Sequence, residues 1–549
     1  MSWKLAYLLL LIVRFYFTVC PSYIHPDEHF QGPEVIAGDI FGWDVFKTWE
    51  FTGDTPIRSI LPLWFAYGFP MTILRWVFDL EANPVIVYYF LRMFFFLISF
   101  CLEDWALQEL GNTPKIRAHY LLFVASSYVT WTYQTHTFSN SVETILVLWS
   151  LVLIKRISFR NFGRTSQFWS CTVLGSLVAL GMFNRITFPA FLILPGVYLI
   201  PQFRKFPQSI FFIAMSGLAM SALAIYIDTR YYESPTMVIT PLNNILYNSQ
   251  TENLAKHGLH PLYTHVLVNL PILLGPYLLL IRPQLSISFL SAVSGTLALS
   301  LFRHQEARFL LPAVPLFLTA TSIPQLILSR KALKWSLIGV IVVFNVSLAL
   351  IFGIYHQGGV VLTQGTYVAQ RLAMTTDVIW WKTYSPPDWL LGDAPITYIH
   401  RGGVSNETEL SEIVQAAREA TGSDSRGVRV WDMMGSDYAI VRALLVDLVA
   451  WRADVARPRG EAMPDILLVA PISSKSLYKF SDTPDNPFCL KLDYTYKKHL
   501  NLDDLGVDYE QAVYEKGGDT SLGRWEKMKL IYTQNRPGLG VWEILLRDS

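Results

Sequence analysis

The sequence predicts an α-helical polytopic membrane protein. It has about eleven transmembrane helices and a C-terminal α/β domain across the bilayer from the N-terminus. Three observations predict it. Apolar residues make up 52 % of the 549 residues and charged residues only 16 %, where soluble chains carry about 25 %. The mean hydropathy is +0.33 over the whole length. Apolar runs of about 17–22 residues, each long enough to cross a bilayer as a helix, recur up to residue 354 and then stop. This composition excludes disorder, a coiled coil and an ordinary cytosolic enzyme. A net charge of +1 leaves no basic surface for nucleic acid.

The runs lie at 3–20, 84–104, 117–135, 139–155, 168–183, 186–203, 208–228, 263–281, 285–302, 309–328 and 335–354. The first begins beside Lys4 and ends in Val19-Cys20-Pro21 without a small-residue cleavage site, so it reads as an uncleaved signal anchor. Residues 59–78 are apolar enough to span as well, and charge decides their reading. If they lie along the membrane, Lys115, Arg117, Lys155, Arg156, Arg160, Arg164, Arg204, Lys205, Arg282, Arg330, Lys331 and Lys334 share the side of Lys4. The inner short loops then carry about thirteen Lys and Arg against about three outside. Residues 59–78 are therefore expected as two surface-lying helical pieces broken at Pro62 and Pro70. Cys20, Cys101 and Cys171 lie in or beside apolar runs; together with Cys489 they spell no disulfide framework.

Two domains follow: a membrane domain, 1–354, with long outer loops at 21–83 and 229–262, and an outer domain, 355–549. The second is long enough for a core of its own. Strand-like runs stand at 428–431, 466–470 and 541–545, and a helical pattern at 437–455 stops before Pro458. Asn406-Glu407-Thr408 is a glycosylation acceptor pattern on the expected outer side.

Polar residues gather at that outer face. The first loop opens His25-Pro26-Asp27-Glu28-His29-Phe30-Gln31-Gly32-Pro33-Glu34. A carboxylate in such low-dielectric surroundings is expected to have a raised pKa and to serve as a general base near neutral pH. The same residues also fit a helix cap, with Asp27 capping a helix begun at Glu28. A second cluster, Arg303-His304-Gln305-Glu306-Ala307-Arg308-Phe309, faces the same side. Arg308 and His304 can donate to a phosphate and Glu306 can orient either, or the charges simply meet water. Arg185, between two closely spaced spans, opposes the positive-inside rule as a snorkelling side chain or an anion ligand. His136 and Asn140 fit a polar helix turn better than a ligand role. Asn243, Asn244, His257 and His260 in the second outer loop suit the hydroxyls of a carbohydrate, or a loop packed on the outer domain.

No phosphate loop, Gly-x-Ser-x-Gly elbow, His-Glu-x-x-His or Asp-x-Asp pair occurs, so a cytosolic nucleotide-sugar donor is not expected. The stretch His25 to Gln31 resembles the first-loop signature of the endoplasmic reticulum mannosyltransferases of glycosyltransferase family 22, in the GT-C superfamily. His304-Gln305-Glu306-Ala307-Arg308-Phe309 resembles that family's His-Lys-Glu-x-Arg-Phe motif and departs from it at Gln305. Within the family, the loops at 25–34, 240–244 and 257–261 and the stretch 381–387 look most like the branch that adds a fourth mannose to glycosylphosphatidylinositol (GPI) precursors. Branches adding the third GPI mannose or a mannose of the lipid-linked N-glycan precursor are the alternative.

The resemblance implies a GT-C-like fold in the endoplasmic reticulum membrane and a lumenal site and C-terminal domain. It implies dolichyl-phosphate mannose as donor and a GPI precursor glycolipid as acceptor, with no metal or other cofactor. The new bond is α1,2 to the third mannose, made with inversion. Asp27 is expected as base with Glu28 as reserve or orienting partner, and Arg308, His304 and Arg185 at the donor phosphate. His25, His29, Gln31, Glu34, Glu306, Asn243, Asn244, His257 and His260 are expected at the sugars. The polar groups gather at one face rather than at mid-bilayer on broken helices, which argues against a transporter or flippase. The sequence points to no protein partner.

Overall fold

The computed structural model describes residues 2–78, 83–159, 164–256, 258–372, 375–421, 427–456, 465–474, 477, 479–482, 486–505, 525 and 535–547. Helices follow many of the apolar runs: Trp3–Thr18, Ser139–Phe159, Arg164–Asn184 and Ile287–Ser300 among them. Among the described residues, four helices are long and apolar enough to cross a membrane by length and composition: Ile60–Phe78, Pro84–Leu110, Gln208–Tyr231 and Lys331–Tyr355. Gln208–Tyr231 leaves Ile210, Phe211, Met215, Leu218 and Leu223 uncovered by protein, the pattern of a lipid-facing helix.

Three expected spans are not single helices. The run 117–135 breaks into Pro114–Ala125, Tyr128–Trp131 and a 3-10 turn at Tyr133–Thr135. Ser127 caps the second piece, and Asn345 Oδ1 accepts the Tyr128 N–H at 2.7 Å. The runs 186–203 and 309–328 are chains of short helical pieces. Pro189, Pro195 and Pro201 interrupt the first, and Pro312, Pro315 and Pro324 the second, each removing a backbone donor.

The expectation of two pieces at 59–78 is corrected in the other direction. Ile60–Phe78 is one continuous helical run of 19 residues. Pro62 sits in its first turn, where a missing N–H costs nothing. Pro70 follows a π-helical stretch, Trp64–Gly68, whose wider winding accommodates the ring. One side of this helix, with Leu61, Leu63, Tyr67, Met71 and Leu74, is buried; the other shows Phe65, Phe69, Trp76 and Val77 to the surroundings.

The first outer loop is ordered on that helix. It forms one turn, Asp27–Phe30, and then a helix, Pro33–Phe41, with proline at its first position and Gly42 closing it at φ 77°. Gly32 joins the two pieces. A Cβ there would lie 2.2 Å from the Tyr67 ring, so only glycine lets the loop sit down on the helix. Tyr67 then donates from its hydroxyl to the Thr137 carbonyl at 2.8 Å.

The C-terminal part is an α/β domain, as predicted, with strands β1 (Thr375–Trp380), β2 (Ile396–Arg401), β3 (Val428–Asp432), β4 (Asp465–Pro471), β5 (Phe488–Tyr496) and β6 (Leu539–Leu546). The order is β2-β3-β1-β4-β6-β5; the first four are parallel and the β4-β6 and β6-β5 pairs antiparallel. Strands β3, β4 and β6 and the helix Tyr438–Ala456 fall on the sequence predictions.

Alternation along the strands gives the sheet two buried faces. Ile379, Trp431, Leu468 and Ile544 meet Leu410, Val414, Val441, Leu444 and Leu448 on the helices Glu407–Thr421 and Tyr438–Ala456. Val378, Val430, Val469 and Val541 join Tyr23, Val35, Ile36 and Ile40 of the first outer loop and Val87 and Leu91 of the helix that follows it. Full burial is worth roughly 1.5–3 kcal/mol for each such side chain. The first loop and the sheet are thus one packed unit, with Glu34 of the loop buried inside it. Asn406 is exposed at the start of Glu407–Thr421, and its Oδ1 accepts the Glu409 N–H at 2.9 Å.

Candidate active site

Pro26 begins the turn that presents Asp27, and the Asp27 N–H donates to His25 Nδ1 at 3.2 Å. Asp27 is half-buried. Its Oδ2 accepts from Arg308 Nη1 and from Gln31 Nε2, while Oδ1 lies 3.4 Å from His25 Nδ1. Arg308 arrives from a loop 281 residues away and also donates through Nε to Glu306. One planar guanidinium therefore ties both sequence clusters together by a fork that lysine lacks. Glu306 reaches His304 Nε2 at 2.9 Å and stands 3.8 Å from His25 Nε2.

The electrostatics correct one expectation. Burial by itself would raise the Asp27 pKa, but the Arg308 charge, with help from His25, outweighs it and holds the carboxyl well below its ordinary value. Glu306 is lowered in the same way, burial being overcome by Arg308 and His304. His304 is lifted above its ordinary value because the Glu306 carboxylate outweighs its burial. Arg308 thus favours the carboxylate form of Asp27, opposite to the direction expected from burial.

Glu28 diverges from its neighbour. It is buried, its Oε2 lies 2.5 Å from His136 Nδ1, and its carbonyl accepts from the Thr137 hydroxyl at 2.7 Å. Burial pushes its pKa well above the ordinary value. His136 in turn meets the Ser22 hydroxyl at 3.0 Å. His29 and Glu34, expected at the sugars, are sealed in the interior. His29 is packed against Tyr23 and Tyr88, and burial drops its pKa to about 3. Glu34 Oε1 accepts the N–H groups of Phe46 and Trp389, both at 3.2 Å, and so pins the first loop to the C-terminal domain. These residues position the turn that carries Asp27.

Arg185 is brought to the site. Its Nη1 donates to the Ser139 hydroxyl at 2.9 Å, its Nε lies 3.5 Å from Glu143, and its guanidinium lies 5.3 Å from the centre of the Phe309 ring. Arg308 lies 5.4 Å from the same ring centre. Two cations therefore share one aromatic ring beside Asp27, an arrangement suited to an anionic leaving group. Asn140 bonds Glu143 at 3.5 Å.

The second outer loop contributes less directly. Asn243 donates to the Pro56 carbonyl and Asn244 accepts from Asn248, each at 2.9 Å. His260 Nδ1 accepts the Gln305 N–H at 3.4 Å. His257 lies outside the described residues. Gln305, where the family motif has lysine, is buried. Its Oε1 accepts the His265 N–H at 2.7 Å and its Nε2 donates to the carbonyls of Phe302 at 2.8 Å and Leu262 at 3.3 Å. Replacing it by leucine strands these groups at roughly 1–3 kcal/mol each. Gln305→Leu is therefore expected to lower the thermal transition of the detergent-solubilised protein by several degrees; an unchanged transition would show that this network carries no stability.

Sequence reasoning missed Glu50 and Arg58. Arg58 donates to Glu50 Oε1 through Nε at 3.1 Å and Nη2 at 2.9 Å, and that same oxygen lies 3.5 Å from Gln31 Nε2, one bond from Asp27. The signal was available: Arg58 is a cation on the expected outer side just ahead of an apolar run, as Arg185 is.

The sequence profile of the Alg9-like mannosyltransferase family matches residues 5–391, a span that includes Asp27, Arg185 and Arg308. The chain belongs to this family. A protein of Emericella nidulans named GPI mannosyltransferase 4 is 41 % identical, over 98 % of this chain and 98 % of its own length. Proteins of the same name from Saccharomyces cerevisiae and Candida albicans are 35 % and 32 % identical, covering 91 % and 99 % of this chain and 95 % and 99 % of their own lengths. Among solved structures, ArnT from Cupriavidus metallidurans bound to undecaprenyl phosphate superposes with a TM-score of 0.51. The match covers 89 % of this chain and 96 % of that one at 10 % identity. That likeness is one of fold, and it is the GT-C-like fold expected from the sequence. The site around Asp27 is therefore the candidate centre of a membrane mannosyltransferase.

Proposed function

We propose that this mannosyltransferase acts in GPI-anchor biosynthesis, moving mannose from dolichyl-phosphate mannose to the third mannose of the GPI precursor glycolipid. The new bond is α1,2, made at the lumenal face of the endoplasmic reticulum membrane. The relatives named GPI mannosyltransferase 4, which match almost end to end, support a GPI glycolipid as acceptor. The chemistry rests on one observation, the Asp27 carboxyl held by Arg308 and Gln31.

The donor sugar is β-linked and the product α, so a single displacement inverts the anomeric carbon. The acceptor 2-hydroxyl oxygen bonds to C1 of the donor as the bond from C1 to the phosphate oxygen breaks. Asp27 takes the hydroxyl proton, and dolichyl phosphate leaves with the electron pair. With a low pKa, Asp27 is a weak base. A weak base suffices when C1 has become oxocarbenium-like before the proton moves, because the attacking hydroxyl is then strongly acidified. Arg308 and Arg185 face the growing phosphate charge. Each such preorganised donor is worth roughly 2.7–4 kcal/mol of barrier. His304 joins the same cluster through its contact with Glu306 at 2.9 Å.

Microsomes given labelled dolichyl-phosphate mannose and a trimannosyl GPI precursor are expected to make the tetramannosyl product, in excess chelator as well as without it. Label entering only a dimannosyl GPI precursor or the N-glycan precursor would reassign the acceptor. Asn406 supplies the test of orientation. Asn406→Gln is expected to remove one glycan's mass from the protein in microsomes, and an unmoved band would remove this support for a lumenal C-terminal domain.

A further inference from the structure

A cavity of ≈ 480 Å³ lies between Pro26 and the C-terminal domain. Pro26 is the residue before Asp27, so one wall of the cavity is the turn that carries the proposed base. The opposite side comes from two segments, 381–385 and 434–438, closed by Asn501, Asp503 and Asp504. Tyr384 links cavity and site: its ring centre is 6.3 Å from that of His25, which itself stands 3.4 Å from Asp27.

The cavity is built rather than left over. Lys382 and Met434, both in its lining, hold φ at 56° and 43°, a left-handed backbone that side-chain-bearing residues rarely adopt. The two are joined by the Lys382 N–H, which donates to the Met434 carbonyl at 2.7 Å. Such strain persists where the surroundings enforce it and concentrates at functional sites. Thr383 is only 6 % exposed, lines the cavity, and has a buried hydroxyl with no hydrogen-bond partner among the described residues. A buried hydroxyl left this way is rare and is satisfied by a ligand or a water.

Charge says which ligand. Asp437, Asp503 and Asp504 line the cavity with one cation, Lys382, which is already bound to Asp504 at 3.2 Å. This side is acidic, while the Arg308 and Arg185 side of Asp27 carries the cations. A lipid phosphate is repelled from the first and drawn to the second. A neutral polyol suits the acidic side, because carboxylates and the Thr383 oxygen accept hydroxyl hydrogens. The rings of Tyr384 and Tyr438 add flat apolar faces for a sugar.

We propose that this cavity holds the mannose chain of the acceptor, so that the acceptor approaches Asp27 from the C-terminal domain and the donor phosphate from the arginines. The inference rests on the proposed transfer to a mannose-bearing glycolipid. Gly435 gives the means to test it, since a Cβ there meets nothing within 4 Å and Gly435→Trp can place an indole in the cavity without a clash at its root. Asp503→Asn, at an exposed position, is the milder partner.

In microsomes, each variant is expected to raise the KM for the trimannosyl GPI acceptor about tenfold and to leave the KM for dolichyl-phosphate mannose unchanged. A soluble methyl mannotrioside is expected to compete with the acceptor in the unmodified enzyme and to lose potency in parallel in the variants. An unmoved acceptor KM in Asp503→Asn overturns the proposal, and so does a rise in donor KM in either variant; if Gly435→Trp is lost from the membrane, Asp503→Asn decides alone. Failure of the unmodified enzyme to use the GPI acceptor would instead sink the proposed function, so the two failures are told apart.

Discussion

Asp27→Asn is expected to abolish mannosyl transfer while the protein stays at its normal level in microsomes. The side chains have the same shape, and the amide oxygen still accepts from Arg308 or Gln31, so the turn at 27–30 keeps its frame. What disappears is the charge. An amide cannot take the proton of the acceptor hydroxyl, and loss of a positioned base costs roughly 10²–10⁴-fold in rate. Glu28→Gln is the matched control. Glu28 is buried with its pKa raised and is bonded to His136, so the neutral amide resembles the protonated form that burial favours. Its variant should keep most of the turnover, whereas Glu28→Ala should lower the amount of folded protein by stranding His136. A dead Glu28→Gln beside an active Asp27→Asn would exchange the roles. Near-normal turnover in both would remove the base from this loop altogether.

The fold was largely legible because two patterns are strong in this chain. Long apolar runs mark helices such as Gln208–Tyr231 and Lys331–Tyr355, and short runs buried on both faces mark β3 and β4. Illegible were the places where proline and long-range bonds compete with hydropathy. The run 309–328 has the composition of a span, yet three prolines turn it into short pieces, while Pro62 and Pro70 leave Ile60–Phe78 unbroken because their local winding tolerates them.

The site divides in the same way. That Asp27 and the 303–309 cluster share a face could be read from topology. That Asp27 points at Arg308 while Glu28 points at His136 could not, since adjacent residues differ only by a turn of backbone that tertiary contacts set. The expected rise in the Asp27 pKa failed for a related reason: burial was legible, and the guanidinium that overrides it lies 281 residues away.

Arg308→Met should cost transfer roughly 10²–10³-fold, the scale of losing one preorganised donor to a developing oxyanion, and should also change the shape of the pH profile. In the unmodified protein the Arg308 charge is the leading influence that holds Asp27 below its ordinary value of 3.8, against burial, which pushes the other way. Asp27 acts when ionised, so activity falls only as pH drops through its pKa. With that pKa depressed, Asp27 contributes no acid limb between about pH 5 and 8. Removing the guanidinium leaves burial unopposed by its strongest partner. The Asp27 pKa must then rise, and an acid limb moves up toward the neutral range, so the residual activity of Arg308→Met climbs with pH where the parent is flat. Arg308→Lys separates charge from geometry. It keeps a cation near Asp27 and should keep the flat profile. A single ammonium cannot reproduce the fork by which Nη1 meets Asp27 and Nε meets Glu306, so kcat should still fall. A flat profile in Arg308→Met would mean that Asp27 is ionised for some other reason. Parental kcat in that variant would mean that the departing phosphate is met elsewhere, with Arg185, on the same Phe309 ring, the next residue to change.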